Sequence, residues 1–183
     1  MSIFYKASDK ELREERNKIF LENGLPALER QGFCKSPFST SWFGKDDHGG
    51  YSYELCRLTK DSELQIIEVN ICLRDRWIQE HLNIFSLVPH CEAIENLSGV
   101  DGLQFHLPPN SQTKARLEPP RGLIFAGMPR HKVGRYLTRR GLSKRLSKLE
   151  NLVETDLGDI QNYVKRWHSS NVIQTTQWNG HAV

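Results

Sequence analysis

The sequence predicts an α+β fold: an antiparallel sheet of about five or six strands, with N-terminal and C-terminal helices packed on one face. Three patterns carry that expectation. Ser8 with Glu11 three places on is a capping-box signature ahead of Leu12, Ile19 and Phe20. Between Glu63 and Leu73, the residues Ile67, Val69, Ile71 and Leu73 alternate with Ile66, Glu68, Asn70 and Cys72, the period of a strand. Leu142, Leu146, Leu149, Val153, Leu157, Ile160, Val164 and Trp167 recur every three or four residues, which builds one apolar helical stripe.

In chain order, the first helix starts after Ser8, and Asn23-Gly24 is expected to end its first segment. Pro26 suits the first turn of a second segment carrying Leu25 and Leu28, with Gly32 as the stop. Phe38 to Phe43 and Tyr51 to Thr59 read as a hairpin around the turn cluster Lys45 to Gly50. Lys60-Asp61-Ser62 turns the chain into the strand from Glu63, and a further strand is expected from about His81. Leu103 to Leu107 and Gly122 to Ala126 read as two short late strands, separated by a loop holding Pro108-Pro109-Asn110 and Pro119-Pro120. The final stripe is one helix that Gly158 breaks or bends. The expectation is a single domain over 1–168 and a polar tail over 169–183, frayed or docked through Trp178.

A length of 183 residues fits one core, since domains commonly run to about 100–200 residues. No apolar run approaches the roughly 20 residues that span a bilayer, and the opening MSIFYKASDKELREE lacks the pattern of a secretory signal, so a cytoplasmic location is expected. Cys34, Cys56, Cys72 and Cys91 form no C-x-x-C pair and are read as reduced, with Cys56 and Cys72 inside strand-like runs as small buried hydrophobes. The net charge of +3 hides a split along the chain. Met1 to Asn110 carries 12 Lys/Arg against 17 Asp/Glu, Ser111 to Lys148 carries 11 against 1, and Leu149 to Val183 carries 2 against 4. The segment charges are therefore −5, +10 and −2.

Such a basic block binds phosphate or an acidic protein face, or else forms a solvated surface paired with the acidic N-terminal part. Arg130, Arg135, Arg139, Arg140 and Lys144 are its candidate partner-binding residues, and Tyr136 interleaves an aromatic ring among them. The hairpin-tip residues Asp46, Asp47 and His48 are the other candidates. Asp46-Asp47-His48 and His90-Cys91-Glu92 are the most metal-like clusters, yet neither has a second member at a recognised spacing, so no metal and no cofactor are expected. Gly122 to Gly127 has glycines but lacks the G-K-[ST] ending of a phosphate loop. Cys34 or Cys91 as a nucleophile would need a partnered His. With no complete catalytic motif, a non-enzymatic role is expected.

The run LPALERQGFCKS, with a helix ending at Gly32-Phe33 and a nearby Lys35, precedes an aromatic hairpin, a strand like LQIIEVNICL and a closing helix ending in Tyr163 and Trp167. This order resembles an uncharacterised family of small bacterial α+β domains, a domain of unknown function found beside toxin and immunity genes. The chain departs from it in the Pro-rich basic segment from Asn110 to Arg140. The resemblance implies protein binding rather than catalysis, namely an immunity protein that binds and neutralises a partner toxin. The basic segment 111–148 supports a different expectation, a nucleic-acid-binding accessory or regulatory protein.

Overall fold

A computed structural model describes residues 5–117 and 130–179. The expected strand at Gly122 to Ala126 lies outside the described residues. Helix α1 (Asp9–Ile19) starts as its capping box requires, the Ser8 side chain accepting a hydrogen bond from the Glu11 backbone N–H at 3.1 Å. Gly24 does not end the helix. The chain widens into a π turn over Phe20–Gly24, with the Leu25 N–H reaching the Phe20 carbonyl, and continues as α2 (Leu25–Arg30). Two features account for the difference. Pro26 has no N–H and crowds the carbonyl four residues earlier, which a wider turn relieves. Gly24 is also a packing contact, because a Cβ there would lie 2.8–3.0 Å from Phe20, Val153 and Leu157. Gly32, at φ +84°, then supplies the expected stop, with the Phe33 N–H bonded to the Leu28 carbonyl at 3.1 Å.

Among the described residues the sheet has seven strands. Its centre is an antiparallel meander of β3 (Tyr51–Leu58), β4 (Glu63–Ile71) and β5 (Gln79–Val88). Each outer edge is closed by two short strands. β1 (Cys34–Lys35) and β2 (Phe43–Lys45) pair along β3, while β6 (Ala115–Arg116) and β7 (Gln174–Gln177) pair along β5. The expected strand from Phe38 is reduced to β2, because Phe38 turns into the core and the Ser41 hydroxyl bonds the Ser36 and Phe38 carbonyls at 3.1 and 3.0 Å.

Both faces of the sheet are covered. On one, Tyr53, Leu55, Ile67, Val69, Ile71, Leu82 and Ile84 meet the helices, including α3 (Arg139–Gly158) and α4 (Ile160–Ser170). The predicted stripe is the buried edge of both, and the break falls at Gly158-Asp159. On the other face, Cys56, Leu64, Ile66, Phe85 and Leu87 pack with Phe38, Cys91, Leu97 and Phe105. The expected strand Leu103 to Leu107 is here a 3₁₀ turn over Gly102–Phe105. Asp101 caps it through the Leu103 N–H at 3.0 Å, and Phe105 inserts between the rings of Phe38 and Phe85 at 5.0 and 5.2 Å.

The tail is docked. β7 runs parallel to β5, Thr176 is buried, and the Trp178 indole N–H donates to the Pro89 carbonyl at 2.7 Å. Cys56 and Cys91 are buried, whereas Cys34 and Cys72 are exposed; Cys72 falls just past the end of β4, and so escapes the burial expected of it.

Candidate functional site

The basic block divides on α3. Arg139 and Arg140 are adjacent in sequence, but about 100° of helical rotation separates them, so they serve different surfaces. Arg139 turns towards α1, its guanidinium 5.8 Å from the Tyr5 ring centre, beside a recess that also holds Glu11, Glu15, Glu22 and Glu150. Arg140, Lys144 and Lys148 follow one another at intervals of four residues along the outer face, about 6 Å apart along the axis. Arg130 is tied to Asp156 in bidentate fashion, Nε to Oδ2 at 2.5 Å and Nη2 to Oδ1 at 3.0 Å. Lys114 pairs with Glu68.

Lys132, Arg135, Arg140, Lys144 and Lys148 are exposed and have no carboxylate partner among the described residues. Of the two pairs Arg130–Asp156 and Lys114–Glu68, only the second is the expected one with the acidic N-terminal part, since Asp156 belongs to the C-terminal segment. Tyr136 is not a free ring. Its hydroxyl accepts from the Ala7 N–H at 3.1 Å, and its face packs against the Arg76 guanidinium at 5.3 Å.

The hairpin-tip candidates sit elsewhere. The Asp46 carboxylate accepts from the His48 and Gly50 N–H groups at 2.9 and 2.8 Å and from the Ser52 hydroxyl at 3.1 Å, so it builds the turn. Asp47 and His48 are exposed at that tip, which Arg13 of α1 braces through the Gly49 carbonyl. His90 and Cys91 belong to a loop staple: the buried Ser62 hydroxyl lies 2.5 Å from His90 Nδ1 and accepts from the Cys91 N–H at 2.7 Å. Among the described residues no group of three His, Cys, Asp or Glu side chains is placed to hold a metal ion. Nor is any described helix long and apolar enough to cross a membrane.

Two histidines absent from the sequence-derived candidates are each held between a pair of carboxylates, one on each face of the sheet. His131 is 1% exposed and donates from Nδ1 to Glu80 at 2.7 Å and from Nε2 to Asp156 at 2.9 Å. Burial alone would lower its pKa, but the carboxylates on both sides outweigh that and hold it up at about 9. For Asp156, burial works upward, while the bonds from His131 and Arg130 prevail and keep its carboxyl below the usual range. The cavity beside His131 among the described residues is about 10 Å³, room for at most one water, and the cluster ties β5, the segment at Arg130-His131 and α3 together.

On the opposite face, His106 Nε2 donates to Glu54 at 2.9 Å and Nδ1 to Glu68 at 3.2 Å, which raises its pKa to about 9. Glu68 is pulled down to about 2, burial being overcome by hydrogen bonds from His106 and Lys114. A sequence signal existed for the first cluster. Glu80 shares the strand parity of Leu82 and Ile84, and Asp156 falls within the helical stripe beside Val153 and Leu157. Carboxylates at such inward positions require a buried partner.

Comparison with protein-family models, with curated proteins and with solved structures finds no match to this chain.

Proposed function

We propose that the protein is a non-enzymatic protein-binding module of the immunity type, which binds and neutralises a partner toxin by docking the outer face of α3 against an acidic surface. The observation that carries this reading is the row Arg140, Lys144 and Lys148, flanked by Lys132 and Arg135, with no carboxylate partner among the described residues. The fold uses other cations of the same block internally, so these stand apart as spare charge. The first turn of α3 holds Arg139 and Arg140 and no acidic residue, a placement that the helix dipole disfavours by about 0.3–1 kcal/mol per charge. An anionic partner turns that cost into attraction. The choice of a toxin as the partner rests on the resemblance proposed from the sequence.

The test is calorimetric titration against the polypeptide encoded by the neighbouring gene. The expected result is a stoichiometric complex that R140E/K144E/K148E weakens at least about 100-fold without lowering the melting temperature. No complex, or one indifferent to the three reversals, would contradict the proposal.

A second reading is a nucleic-acid-binding accessory protein. Ser143 and Ser147 alternate with Lys144 and Lys148 beside Asn151 and Thr155, a mixture of donors that also suits phosphate oxygens. Tight retention of DNA or RNA at low salt, falling steeply as salt rises and abolished by the same reversals, would favour it.

A further inference from the structure

Between the 130–134 segment and α3 runs a groove of about 340 Å³, lined by Arg130, Lys132, Gly134, Arg145, Lys148, Leu149 and Leu152. Four cations meet there and, among the described residues, no acidic side chain lines it. Arg130 is neutralised by Asp156, which leaves Lys132, Arg145 and Lys148 as uncompensated charge among the described residues. Arg145 is held in position: its Nε donates to the Arg135 carbonyl at 3.1 Å, and its side chain lies so close to Gly134 that a Cβ there would be 3.2 Å away. The wall formed by buried Leu149 and half-buried Leu152 is apolar. Lys148 and Leu152 also border a second, shallower recess of about 550 Å³ over Ser143, Lys144, Ser147, Asn151 and Thr155, so they form the ridge between the two.

We infer that this groove anchors an acidic segment of the partner protein, its carboxylates meeting Lys132, Arg145 and Lys148 while an aliphatic side chain lies against Leu149 and Leu152. The inference rests on the docking function proposed above and names the anchor within it. A protein segment fits better than a nucleic-acid strand, because the groove offers an aliphatic wall and, among the described residues, no ring. Tyr136, the aromatic residue nearest in sequence, is engaged by Ala7 and Arg76, so a base has no stacking platform there. A mixed apolar and charged lining is also the composition of a protein interface, where one buried anchor is surrounded by polar contacts.

The test uses fluorescence anisotropy at low salt with four labelled probes: a 12-residue peptide of glutamates with a leucine at every fourth position, polyglutamate of equal length, and single-stranded and duplex DNA of 12 nucleotides per strand. The leucine-bearing peptide is expected to bind at least about tenfold more tightly than polyglutamate, and more tightly than either DNA. K132E and K148E should each weaken that peptide about tenfold. L152S should bring it to the level of polyglutamate and leave polyglutamate binding unchanged, and K60E, an exposed lysine in the turn between β3 and β4, should act less than about threefold. Unaltered melting temperatures establish that each variant is folded. Preference for DNA, equal binding of the two peptides, or failure of any probe to bind would overturn the inference. If R140E/K144E/K148E abolishes peptide binding while K132E and L152S change nothing, the docking face stands and the groove anchor falls.

Discussion

Replacing His131 by alanine removes the one side chain that bonds both Glu80 and Asp156. Asp156 keeps Arg130, but Glu80, 2% exposed, is left with no side-chain partner among the described residues. Stripping one member from a buried ionic cluster costs about 3–5 kcal/mol, because burial already pushes the Glu80 carboxyl up and no cation then remains to offset it. Against a typical total of about 5–15 kcal/mol, that is a large share, and it lowers the melting temperature by on the order of 10 °C in a chain of this size. Urea denaturation followed by circular dichroism at pH 7 measures it.

The double variant H131A/E80Q is expected to be more stable than H131A alone, since it removes the orphaned carboxylate. Exposed His48→Ala should stay within about 0.5 kcal/mol of the parent. The pH dependence carries a sign. The folded-state pKa of His131, about 9, lies above the ordinary 6.5, so its contribution is complete below pH 6.5 and fades as pH rises through 9. The gap between parent and H131A must therefore narrow from pH 7 to pH 10. A loss under about 1 kcal/mol at pH 7, or a gap that widens with pH, would show that His131 does not hold the two carboxylates in this way.

The Glu68 carboxyl, held at about 2 against an ordinary 4.5, contributes stability above pH 4.5 that is lost as pH falls towards 2. The stability gap between parent and E68Q should accordingly shrink between pH 5 and pH 2.5 in acid titrations monitored by tryptophan fluorescence. Val153→Asp buries an unpaired charge against the sheet and should cost several kcal/mol; an unchanged melting temperature would contradict the assignment of the α3 stripe to the core. Cys34 and Cys72 should react with a thiol reagent in the native state, whereas Cys56 and Cys91 should react only on unfolding, so a native titration of four thiols would disprove this burial pattern.

Features written in local chemistry were legible in the sequence. Ser8 and Glu11 cap α1, the alternation around Ile67 marks β4, and Gly158 breaks the long stripe, each through interactions within a few residues. The misread elements depend on distant partners. Gly24 stays helical because Val153 and Leu157 pack on it, and Leu103 to Phe105 coil into a turn because Phe105 fills a gap between Phe38 and Phe85. β7 has the polar sequence Gln-Thr-Thr-Gln, with no apolar alternation to announce it; its pairing comes from the edge that β5 leaves beside β6. For the candidate site, composition located the basic block, but only helical phase separates Arg139, facing α1, from Arg140, facing outward. The carboxylate-clamped histidines were missed because their partners lie 25 to 52 residues away in sequence.

Docking through the outer face of α3 is tested in one anisotropy titration, in which the leucine-bearing glutamate peptide and the 12-base-pair duplex are compared on the parent and on R140E/K144E/K148E at two salt concentrations. The parent is expected to retain the peptide in preference to the duplex, and the three reversals to release it while the fold persists. Preferential, steeply salt-dependent retention of the duplex would contradict it and assign the outer face of α3 to nucleic acid.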